Sequence, residues 1–93
     1  MGAQRGADMG DAVDTLKERA KTHGHFCDVA TSAQVIKSEI NRADHLDFTQ
    51  IEALDMIATK IARILHGNPN ERDHWLDIEG YARLVRLELE GEE

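Results

Sequence analysis

The sequence predicts an all-α protein, a compact bundle of about four helices closed by an antiparallel C-terminal helix hairpin. Three observations carry that reading. Apolar residues recur every three or four positions and never alternate over a strand's length. The chain has one proline and seven glycines, and four of the glycines lie at or near the ends. At 93 residues and 41% hydrophobic composition it is long enough for a single helical core and too short for two.

Residues 1–10 carry three glycines and no apolar stripe, and read as a flexible N-terminal tail. Residues 11–90 form the helical domain, and 91–93 an acidic end. The first helix should run from about Asp11 to Thr22, with a thin apolar side of Val13, Leu16 and Ala20. Gly24 is placed to end it, because glycine takes a left-handed conformation without steric cost. The second helix should span Phe26 to Arg42, with Phe26, Val29, Ala33, Ile36 and Ile40 on one side. Thr49-Gln50-Ile51-Glu52 fits the capping-box pattern and should open a third helix. Its stripe of Ile51, Leu54, Ile57, Ala58, Ile61, Ile64 and Leu65 is wide enough to face a core. Gly67 and Pro69 should stop it. A fourth helix should begin between Asn70 and Asp73, with Trp75, Ile78, Ala82, Val85 and Leu89 inward. Carboxylates crowd its C-terminal end, where the helix dipole disfavours them, so the end should fray.

Charge limits the possible functions. Eighteen acidic residues against eleven basic ones give a formal net charge of −7, and a nucleic-acid groove needs the opposite balance. No apolar run reaches the roughly 18 residues of a membrane span, and no signal-peptide pattern is visible. The lone Cys27 has no internal disulfide partner, which fits a cytoplasmic location. The glycine-rich phosphate loops of dinucleotide- and triphosphate-binding folds are missing.

Chemistry is concentrated at Lys60, Arg63, Asp73, Asp77 and Tyr81. Asp73, Asp77 and Tyr81 succeed one another at four-residue spacing along one helical face. The short connection at Pro69 should set Arg63 opposite Asp77, with Lys60 one turn further from the loop. Two carboxylates could hold Mg²⁺ and the cations could hold phosphate oxygens; a salt-bridged hairpin explains the same residues. His23 and His25, with Cys27 close by, form a weaker metal candidate, because their spacing is not that of a structural zinc site and a fourth ligand is not evident. Asp73 and Asp77 are the other metal candidates.

Lys60-x-Ala62-Arg63-Ile64, followed by Asp73-x-Trp75-x-Asp77-Ile78-x-Gly80-Tyr81-Ala82, resembles the signature of a family of small phage and prophage proteins of unknown function. His23-Gly24-His25-Phe26 is similar to an earlier segment of that family, and the likeness covers most of residues 22–86. There is also a distant echo of the MazG-like all-α nucleotide pyrophosphohydrolases. The chain lacks their Glu-Glu-x-x-Glu, and its Asp73-x-x-x-Asp77 is one residue wider than their second element. The resemblance implies a phage or prophage protein in the bacterial host cytosol; small size, helical compactness and acidic charge suit an accessory protein that acts by binding a host protein, with an anti-defence (anti-CRISPR-like) inhibitor as one form. The alternative is a nucleotide-binding or Mg²⁺-dependent nucleotide-hydrolysing protein. An enzyme is the less favoured reading, Mg²⁺ enters only under the alternative, and no other cofactor is expected. A helix-mediated homodimer is expected, because a chain of this size stabilises itself only marginally.

Overall fold

Four helices account for almost the whole backbone of the computed structural model, which describes residues 2–91, with side chains from residue 12 onward. They are α1 (Gly2–His23), α2 (Phe26–Arg42), α3 (Phe48–His66) and α4 (Arg72–Leu89). No strand occurs among the described residues. α2 has the bounds expected of it. α1 begins nine residues before Asp11, so the backbone of 2–10 continues the helix. Residues 1, 92 and 93, including most of the expected acidic end, lie outside the described residues.

The start of α3 differs from the expected one. Asp47 is the N-cap: its carboxylate accepts from the Gln50 amide at 2.8 Å, and the Gln50 side chain accepts from the Asp47 amide at 3.0 Å. The capping box is therefore Asp47–Gln50 and not Thr49–Glu52. Asp47 is in an extended conformation, whereas Thr49 is already inside the first turn. The Thr49 hydroxyl instead meets Glu88 on α4 at 3.4 Å.

α3 is the central element. It packs against α2 on one side and antiparallel to α4 on the other, while α2 and α4 do not pack on each other. Small side chains permit the close approach: Ala33 of α2 meets Ala62 of α3 with Val29 beside them, and Ala53 and Ala58 are also buried. Among the residues with described side chains, α1 joins this body through its last turns. Residues 12–19 are exposed, and Ala20, Thr22 and His23 are half-buried, so the molecule measures 55 × 29 × 27 Å.

Two glycines make the α1–α2 turn and the end of α3 fit against each other. Gly24, at φ +83°, abuts the backbone of His66, and Gly67 abuts the backbone of Thr22. A Cβ at either position would overlap those atoms. The Thr22 carbonyl next to Gly67 accepts from the Asn68 amide at 3.0 Å and from His74 Nε2 at 2.9 Å. The end of α1, the loop after α3 and the first turn of α4 therefore meet at one oxygen.

That junction also corrects the expected inner side of α4. His74 is 2% exposed and occupies the inward position, while Trp75, Ala82 and Leu89 remain exposed. Reaching the Thr22 carbonyl turns His74 inward. The Trp75 indole N–H donates to the Pro69 carbonyl at 2.8 Å, which holds that ring against the loop.

Candidate functional site

The structure distributes the five hairpin residues over two neighbouring places. Asp77 pairs with Lys60 at 2.8 Å, so the ion pair forms one turn away from the expected Arg63. The Lys60 side chain is 13% exposed and that of Asp77 is 45%. The ammonium is thus the more desolvated partner and depends on the carboxylate. Lys60, first by hydrogen bond and then by charge, holds the Asp77 carboxyl below its ordinary value, against a smaller opposing effect of burial. Asp73 points to solvent and reaches only Arg72, at 4.0 Å. Tyr81 is half-buried on the same side of α4.

Arg63 turns toward α1 and α2. It borders a cleft of about 230 Å³ between the last two turns of α1, residues 26–37 of α2 and the C-terminal half of α3. Val29, Ala30 and Ala33 supply an apolar floor, and Arg19, Lys37 and Arg63 stand around it. No carboxylate lines this cleft, and none of the three cations is in an ion pair with another described residue. Burial, and then the nearby Arg19 guanidinium, hold Arg63 below its ordinary pKa, with Asp77 and Tyr81 acting the other way. Cations that repel one another across a partly dry cleft favour an anion between them.

His23 forms the cleft's edge toward α4. Its Nδ1 lies 2.6 Å from the Thr22 hydroxyl, and its ring meets His74 edge-on at 4.8 Å between centroids. Burial first, then Arg19, His74 and Arg63, push the His23 pKa below 6.5. A carbonyl only accepts, so His74 Nε2 carries a proton and donates it to Thr22. His25 is exposed. Among the described residues no three His, Cys, Asp or Glu side chains come together as metal ligands. His23, His25, Asp73 and Asp77 therefore do not share a site.

Arg19, Lys37 and His74 did not emerge from the sequence as site residues. Arg19 and Lys37 lie on separate helices, α1 and α2. Their convergence depends on how α1 docks, which follows from the Gly24 and Gly67 contacts.

A family match spans residues 3–87 and is described as a domain of unknown function. The chain belongs to the DUF6378 family. No curated protein and no solved structure matches the chain. The family match covers α1 to nearly the end of α4, so both the cleft and the hairpin fall within it. No helix among the described residues is long and apolar enough to cross a membrane.

Proposed function

We propose that this chain binds a small phosphate-bearing molecule, of the nucleotide class, in the cleft between α1, α2 and α3. The observation that carries the reading is local charge reversal. In a protein of net charge −7, the cleft presents Arg19, Lys37 and Arg63 and no carboxylate. Phosphate oxygens would take the guanidinium groups, which suit bidentate contact, and a base would rest on the apolar floor. The reading is of binding without hydrolysis. A hydrolase needs carboxylates free to hold Mg²⁺, whereas Asp77 is engaged by Lys60 and Asp73 lies apart in solvent. The distant likeness to MazG-like enzymes supports the ligand class more than the reaction. The phage or prophage setting in a host cytosol rests on the sequence signature.

Thermal melting with pyrophosphate, a nucleoside monophosphate and a nucleoside triphosphate, each with and without Mg²⁺, tests the reading. A ligand at 100 times its dissociation constant adds about 2.7 kcal/mol, which for a domain this small is roughly 10 °C or more. Arg63→Gln and Lys37→Gln should remove the shift while leaving the unliganded protein helical. Absence of a shift with every probe, or a shift that survives both substitutions, refutes the proposal. Release of phosphate in the presence of Mg²⁺ would favour the hydrolase instead.

A second reading, an accessory protein that occupies a host protein and in its sharpest form acts as an anti-defence inhibitor, is supported by surface composition. Phe26, Val35 and Phe48 are 83%, 67% and 92% exposed on an acidic molecule, and large exposed apolar side chains are the kind that anchor a protein partner.

A further inference from the structure

The face of α4 that the sequence marks as inward is left largely uncovered within the protomer. Trp75, Ile78, Ala82, Val85 and Leu89 follow the three-four spacing of a heptad seam. Ile78 and Val85 are half-buried against α3, while Trp75 and Leu89 are 54% and 72% exposed and Ala82 is exposed. Beside them, Leu54 and Ile57 of α3 with Ala82 and Val85 of α4 line an apolar groove of about 360 Å³ that holds no charged side chain.

We propose that this face is the dimer surface of the protein, on which α4 of a second copy packs antiparallel about a two-fold axis at Ala82, the two hairpins together making a four-helix bundle.

Three observations favour a second copy as the occupant. First, the seam is self-complementary. Inverting α4 about Ala82 sets Trp75 of one copy level with Leu89 of the other and brings the smallest side chain of the stripe to the crossing point. Isologous dimers require the same patch to serve both partners in this way. Second, the flank of the seam carries both charges. Glu79, Arg83 and Arg86 border Ala82, and the same inversion brings Glu79 of one copy beside Arg86 of the other on one side of the seam. Third, the area is adequate. The chain exposes 6961 Å², whereas a globular monomer of its mass exposes about 5,400 Å². A stable interface covers about 800 Å² per partner, less than this excess over a compact monomer.

Sedimentation equilibrium on the full chain across micromolar concentrations tests the proposal. The wild type should reach the mass of two chains. Ala82→Glu should raise the dissociation constant at least about 100-fold, because it sets two like charges against each other at the axis. Residue 82 is exposed in the protomer, so helical circular dichroism should persist. Arg86→Glu should weaken the dimer, and combining it with Glu79→Arg should restore it. Val35→Glu, on the exposed side of α2, should leave it unchanged. A single-chain mass at every concentration overturns the proposal. So does a dimer indifferent to Ala82→Glu, or one broken by Val35→Glu.

Discussion

Replacing Gly67 by alanine tests the junction on which the cleft depends. The new Cβ would overlap the Thr22 carbonyl oxygen and crowd the Arg63 carbonyl at 2.8 Å. Both are backbone atoms, so no side-chain rotation relieves the clash. The Thr22 oxygen cannot retreat without stretching its bonds to the Asn68 amide and to His74. Each is worth about 1 kcal/mol net, and leaving the His74 donor unpaired adds about 1–3 kcal/mol, since that ring is 2% exposed. Alanine returns about 0.4–1 kcal/mol by restricting the unfolded chain. The expected net loss is about 2–5 kcal/mol, a large part of the stability of so small a domain. Urea unfolding followed by circular dichroism at fixed protein concentration measures it. Gly80→Ala is the control: a Cβ there meets nothing within 4 Å, and the exchange should stabilise by up to about 1 kcal/mol. A Gly67→Ala protein within about 0.5 kcal/mol of wild type would refute the reasoning, because the close approach would then not be needed.

Two further outcomes are expected. The folded-state pKa of His23 lies below 6.5, so the unfolded chain takes up a proton that the native ring resists. Its contribution to stability is complete above pH 6.5 and is lost as the pH falls through the folded value; melting temperatures recorded down an acid series should decline more steeply for wild type than for His23→Gln. At the start of α3, Asp47→Ala should cost about 1 kcal/mol through loss of the cap, whereas Thr49→Ala should cost under about 0.5 kcal/mol; equal losses in chemical denaturation would return the cap to Thr49.

The sequence made the α-helical periodicity, the stops at Gly24 and Gly67, and the hairpin at Pro69 legible, because each is decided within a few residues. Asp47-x-x-Gln50 and Thr49-x-x-Glu52 both satisfy the box pattern, and backbone conformation at Asp47 decides between them. The rotation of α4 was not legible for a different reason. His74 lies inward because a carbonyl 52 positions earlier accepts its hydrogen bond, and helical periodicity carries no information about that partner. The hairpin charges were half legible. Lys60 and Asp77 do meet, but Arg63 serves another wall, next to Arg19 and Lys37 on helices whose relative placement depends on two glycine contacts.

The oxygen of residue 22 also bears on how the chain folds. Helices nucleate from near neighbours in about a microsecond. The step that ties α1 to α4 must instead close a loop of 52 residues, and loop closure across so long a span is the slow, entropically uphill part of folding. The tie between the first and last helices thus rests on a single peptide group.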